Sequence, residues 1–220
     1  LAYQKLRDAV VANRAQAGSI VVLVQPNGQR SFLTDRGVAS HLAHFDATIM
    51  NNVSILHIPT YSLTDEPLAS TCVQYVNAAR AIGALISIDA SSASVLKQYG
   101  TDRYRALIES LSPEVFLCNE DEAAVLGLGT QKPMAGAELT VIKQGPLPVI
   151  AIQNNGTATE VAVTPVAHIV DTTGAGDAFA AGFLPHYAKT KEITNAVAQG
   201  HAVASRVLQS PGATLNISQQ

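Results

Sequence analysis

Short runs of β-branched and aliphatic residues alternate along this chain with longer stretches in which apolar positions recur every three or four residues. That is the pattern of strands alternating with helices. Leu1 to Arg14 sets Leu1, Leu6, Val10 and Val11 among charged residues, a weak helical period. Ser19 to Gln25 (SIVVLVQ) predicts a strand, Pro26-Asn27-Gly28 a tight turn, and Arg30 to Thr34 a returning strand, which together make a hairpin. Val53 to Ile58 predicts a short buried strand and Glu66 to Ile82 a helix. Ala84 to Asp89 (ALISID) is the next strand and Thr101 to Leu111 the next helix. Val115 to Cys118 predicts a strand running into a helical turn at Asn119-Glu120-Asp121-Glu122. Leu139 to Lys143 is a strand, and Pro148 to Gln153 with Thr157 to Val163 form a hairpin across Asn154-Asn155-Gly156. Two helices, Asp177 to Ala188 and Glu192 to Gln209, close the pattern.

Strands and helices in alternation imply an α/β fold with a mostly parallel sheet flanked by helices. Ligands in such sheets bind beyond the carboxyl ends of the strands. No internal repeat, low-complexity segment or interdomain linker stands out, so residues 1–220 read as a single domain.

Composition narrows the picture. Hydrophobic residues make up 47% of the 220 and charged ones only 14%, which favours a buried core over disorder. A net charge of -3 gives no reason to expect nucleic acid or an anionic membrane surface as a partner. No apolar run approaches the ~18 residues needed to span a bilayer. Lys5, Arg7 and Asp8 follow Leu1, so no secretory signal is visible. Cys72 and Cys118 match no metal or redox spacing, and a reducing cytoplasm is the simplest expectation.

The chemistry concentrates in Asp171-Thr172-Thr173-Gly174-Ala175-Gly176-Asp177-Ala178-Phe179-Ala180-Ala181-Gly182, a glycine-rich turn opening an apolar helix. Glycine lets the backbone turn tightly and a ligand approach closely. The first amides of the helix lack intrahelical partners and lie at the positive end of its dipole, which suits a phosphate or a developing anion. A carboxylate there repels phosphate but is well placed to take a proton from a hydroxyl attacking it. Gly174, Ala175, Gly176 and Asp177 therefore read as a phosphoryl-transfer centre. Neither the phosphate-cradling Gly-x4-Gly-Lys-Ser/Thr loop nor the dinucleotide Gly-x-Gly-x-x-Gly fingerprint occurs. The plainer reading is a glycine-rich connection in which Asp177 merely favours a helix start.

Asn119 and Glu122 form Asn-x-x-Glu at a strand end. An amide oxygen and a carboxylate one turn apart can orient the water shell of Mg²⁺, which dehydrates reluctantly. The same pair also reads as a capping box. Lys143, in Val141-Ile142-Lys143-Gln144-Gly145, is either a point charge for phosphates or an exposed lysine ending a strand. Asp171 can cap its own turn. Ser31, His57 and Asp89 make no hydrolase triad, because no nucleophile elbow accompanies them.

The string around Asp177 resembles the C-terminal signature of the ribokinase-like (phosphofructokinase-B type) carbohydrate kinases, with every position of that pattern filled. The resemblance extends to Asn119-x-x-Glu122, to Lys143-Gln144-Gly145, to Ser87-Ile88-Asp89-Ala90-Ser91-Ser92, and to residues 18–37 as the hairpin that helps form the substrate lid. It implies a ribokinase-like fold and ATP-dependent phosphorylation of a sugar or sugar-acid hydroxyl. In that scheme Asp177 is the general base and Asn119 with Glu122 position Mg²⁺ through water. Lys143, Gly145 and Thr173 border the nucleotide, and His201 lines the adenine pocket. In some members Asp171, Thr173 and the segment holding Gly212 hold a monovalent cation such as K⁺. A homodimer through the lid hairpin belongs to the same implication. The family's opening strand, with its acidic sugar ligand, and its Gly-Gly segment have no match here, so part of the sugar site is absent. Its intact catalytic loop favours omitted residues over a decayed enzyme. A nucleoside kinase of this fold and a non-catalytic nucleotide or sugar sensor remain the alternatives.

Overall fold

A computed structural model describes residues 17–24 and 30–213. The helix expected over 1–14 and the turn at 26–28 lie outside the described residues. Where one domain is predicted, the chain divides into two compact units, one drawn from residues 1–52 and 61–78 and the other from 53–60 and 79–220. No linker composition marks these crossings, because they fall at the edges of a strand and inside a helix.

The first unit holds an antiparallel hairpin of β1 (Ala17–Val24) and β2 (Arg30–Gly37). β2 runs three residues beyond its expected end. Val21 pairs with Leu33, and Ile20, Val21, Leu23 and Leu33 are all exposed. Arg36 pairs with Asp65 and lies over the Tyr61 ring, and Phe45 meets Tyr75 edge-on at 4.8 Å. Most of helix α1 (Leu68–Ala81) also belongs here.

The second unit is built on a six-stranded sheet: β3 (Ile55–Pro59), β4 (Leu85–Asp89), β5 (Val115–Asn119), β6 (Leu139–Lys143), β7 (Val149–Gln153) and β8 (Ala158–Val161). The strands lie in chain order, β3 to β6 parallel and β6 to β8 antiparallel. The helices of this unit are α2 (Ala93–Tyr99), α3 (Thr101–Leu111), α4 (Glu120–Leu126), α5 (Ala175–Thr190) and α6 (Ile193–Leu208). α2 is not evident in the apolar pattern: seven residues carry too short a period, and the Ser92 cap that starts it sits in a serine-rich stretch.

Alternation along the strands divides the core between the two faces. Ile86, Ile88 and Phe116 are fully buried, with Phe116 6.4 Å from the ring of Tyr104 on α3. Leu85, Val115, Leu117, Leu139 and Val141 share the other layer with Phe179, Phe183, Leu184 and Val197 of α5 and α6. Two glycines bring these helices together. A Cβ at Gly182 would lie 2.4 Å from the Gln199 carbonyl oxygen, and one at Gly200 would lie 2.7 Å from the Phe179 ring. Among the described residues, no helix is long and apolar enough to cross a membrane.

Candidate active site

All of the predicted chemistry falls in the second unit, where β3 to β6 run parallel and so end at the same edge of the sheet. His57 and Asp89 lie near the ends of β3 and β4, and Asn119 and Lys143 close β5 and β6.

The glycine-rich loop turns into α5 at Gly174, whose φ of 77° lies in the left-handed region. A side chain there would also collide with Ala213, because a Cβ would come 2.8 Å from Ala213 Cβ. α5 starts at Ala175, two residues before the expected start, so Ala175 and Gly176 belong to its first turn with Asp177. The Gly174 cap has no side chain, so no side-chain cap covers the leading amides. Asp177 is exposed in that first turn.

Asp171 ties the loop down. One carboxylate oxygen accepts the Thr173 N–H at 2.8 Å and the other accepts the Gly212 N–H at 3.0 Å. The capping role is thus present, and it links the two segments named for a monovalent cation.

Asn119 and Glu122 form a complete capping box. The Asn119 side chain accepts the Glu122 N–H at 2.9 Å, and Glu122 accepts the Asn119 N–H at 2.8 Å. Asn119 Nδ2 also donates to Glu122 Oε1 at 3.0 Å. Glu122 is only 3% exposed. Burial raises its pKa to about 6, against the lowering by the Asn119 N–H; the charge of Asp89 adds to the rise and that of Lys143 opposes it. Both carboxylate oxygens of Glu122 are thus engaged by Asn119. Among the described residues, no three His, Cys, Asp or Glu side chains gather into a metal-holding cluster.

Lys143 is not the exposed strand-end lysine of the plainer reading. Its Nζ donates to Asp89 Oδ2 at 2.8 Å, and both side chains are largely buried. Burial works against its charge, but the attraction of Asp89 and the hydrogen bond outweigh that, and its pKa lies above the ordinary value. The ammonium also stands at the start of α5, 3.4 Å from where a Gly176 Cβ would be. Gly145, two residues on, turns the chain with a φ of 58° and open space around it.

His201 of α6 packs edge-on against Phe179 at 5.3 Å. Its Nε2 is enclosed without a hydrogen-bond partner, and burial lowers its pKa.

Asp89 and His57 carry no functional assignment in the sequence reading. His57 Nδ1 lies 3.2 Å from Ser87 Oγ. Burial lowers its pKa; Asp89 and Asp177 pull the other way, and Lys143 reinforces the lowering. The signal available was the Ser87-x-Asp89-x-x-Ser92 motif, whose resemblance names no partner for Asp89. Pairing with Lys143, 54 residues away, comes from the sheet order.

The sequence profile of the pfkB family carbohydrate kinases matches residues 6–220. An uncharacterized sugar kinase of Archaeoglobus fulgidus is 26% identical over 94% of this chain and 82% of its own length. A probable sugar kinase of Rhizobium etli superposes with a TM-score of 0.80 at 20% identity, over 91% of this chain and 63% of that one. The adenosine kinase of Sinorhizobium meliloti does so with a TM-score of 0.79 at 20% identity, over the same 91% and 63%. The fold is ribokinase-like, and the chain spans less than two thirds of either solved structure.

Proposed function

This chain belongs to the pfkB family of carbohydrate kinases, and we propose that it transfers the γ-phosphoryl group of ATP to a hydroxyl of a sugar or sugar acid. One observation carries the reading: the uncapped N-terminus of α5, the Lys143 ammonium and the Asp177 carboxylate come together at one edge of the sheet. Two of these attract an anion, and the third is a base that phosphate itself would not recruit.

The roles follow from the charges. Asp177 takes the proton of the attacking hydroxyl, whose oxygen then forms the bond to phosphorus while the bond to the leaving phosphate breaks. Negative charge building on the transferring group faces the amides of Gly174 to Asp177 and the Lys143 ammonium. Such transfers depend on positioning and electrostatics more than on covalent chemistry. Asn119 and Glu122 would hold a hydrated Mg²⁺, which when bound neutralises phosphate charge. Gly145 and Thr173 border the nucleotide phosphates in this scheme. His201 lines the adenine pocket in this scheme, its ring held edge-on against Phe179.

A nucleoside acceptor is the second reading, favoured by the structural likeness to an adenosine kinase. The test is an ADP-release screen of the full-length protein over sugars, sugar acids and nucleosides. One acceptor class should stimulate release, and Asp177→Asn should reduce it by about 10²–10⁴-fold with ATP binding retained. ATP binding without stimulated release would identify a sensor. Turnover of Asp177→Asn within a few-fold of the parent protein would remove Asp177 from the role of base.

A further inference from the structure

Building on the kinase reading of this site, we propose that Asp89 is a positioning residue, which holds the Lys143 ammonium against the phosphate-binding N-terminus of α5. The two residues end strands β4 and β6, with β5 lying between them in the sheet. Lys143 therefore reaches past the end of β5 to meet Asp89 Oδ2 at 2.8 Å. A lysine stem is long and flexible, and a phosphate site needs its charge at one place.

Asp89 is built to supply that constraint. Its other carboxylate oxygen accepts the Ser91 N–H at 2.8 Å. Its carbonyl oxygen accepts the hydroxyls of Thr60 at 2.7 Å and Ser91 at 3.0 Å. Backbone and side chain are thus anchored independently of the lysine. Ser91 sits in the left-handed region at a φ of 61°, an uncommon position for a residue with a side chain, and this turn is what aims its N–H back at Asp89.

A separate observation comes from the other side of the ammonium. Gly174 is a glycine because its φ and Ala213 demand one, but Gly176 has no positive φ. Around Gly176, the one atom within 4 Å of an added Cβ would be Lys143 Nζ, at 3.4 Å. The missing side chain keeps open the place where the ammonium meets the helix start. Asp89 behind therefore holds the charge, and Gly176 leaves the space in front of it free of a side chain. The pairing also neutralises a carboxylate that would otherwise repel phosphate beside the anion site.

The test is a double-mutant cycle on the full-length protein with Asp89→Asn, Lys143→Met and the double variant. ATP affinity is read by calorimetry without acceptor, and kcat and KM by ADP release. Asp89→Asn should weaken ATP binding on the order of tenfold, as Lys143→Met does, since each removes a charge-assisted contact. The double variant should be no worse than Lys143→Met alone. Gly176→Ala should weaken ATP binding in the parent protein and have no further effect in the Lys143→Met background, which tests the arrangement even if Asp89→Asn fails to fold. Losses that multiply, or an Asp89→Asn protein that binds ATP within twofold of the parent, would overturn the proposal. Coupled losses in ATP affinity with no ADP release for any acceptor would instead overturn the kinase reading alone.

Discussion

At the residue scale, one local arrangement gives Glu122 two duties of opposite electrostatic character. As the partner of Asn119 it caps α4, and a neutral glutamine keeps the bond from the Asn119 N–H while losing the one from Nδ2. As a buried carboxylate its charged form is penalised, and its pKa stands at about 6 in place of 4.5. A carboxyl whose folded pKa is raised favours folding while protonated, below its ordinary pKa, and loses that contribution as pH rises through the folded value. The difference is roughly 2 kcal/mol when fully developed. In Glu122→Gln the fall in stability from pH 4.5 to pH 7 should therefore become shallower than in the parent protein. Thermal unfolding across that range measures it. If Glu122 also holds hydrated Mg²⁺, the same variant should need more Mg²⁺ for ADP release; an unaltered magnesium titration would leave capping as its sole duty.

At the scale of elements, the catalytic turn depends on two glycines for different reasons. Gly174 combines a left-handed φ with the contact to Ala213, so Gly174→Val would be strained twice. Stability should fall by about 1–3 kcal/mol, and turnover should be lost because the leading amides of α5 no longer point where a phosphate would sit. Pairing Gly174→Ala with Ala213→Gly separates the causes. The second substitution removes the closest contact, to Cβ, but leaves the Ala213 Cα at 3.0 Å and the φ strain, so it should restore part of the lost stability and not all of it. Unfolding temperatures of the two single variants and the double variant decide this, and an active, fully stable Gly174→Val protein would show that α5 offers no anion site. Gly182 and Gly200 serve packing, by letting α5 and α6 approach closely. The α5 pattern at Ala178, Phe179, Phe183 and Leu184 was legible as a helix, but its start was not: propensity argues against glycine in a first turn, and tertiary contacts of the loop prevailed.

At the scale of the whole molecule, the hairpin leaves Val21 and Leu33 side by side and exposed, at 56% and 61%. A second copy of the chain packed on this face would bury them, as the expected dimer through the lid requires. Leu33→Asp should then shift sedimentation toward the mass of one chain, whereas a parent protein of single-chain mass at every concentration would exclude that dimer. The alternating strands and helices, the antiparallel β7–β8 hairpin and the glycine-rich loop were all readable from the chain alone. Each rests on local periodicity, turn chemistry or a contiguous motif, which act over a few neighbouring residues. Asn119 with Glu122 was readable as two rival duties, and the folded chain shows the capping one directly because its partners are three residues apart. Only the tertiary structure brought Asp89 to Lys143, Asp171 to Gly212, and the Lys143 ammonium to Gly176. Sequence spacing carries no information about those distances: the order of strands in the sheet decides which strand ends are neighbours, and long-range packing of the core decides that order.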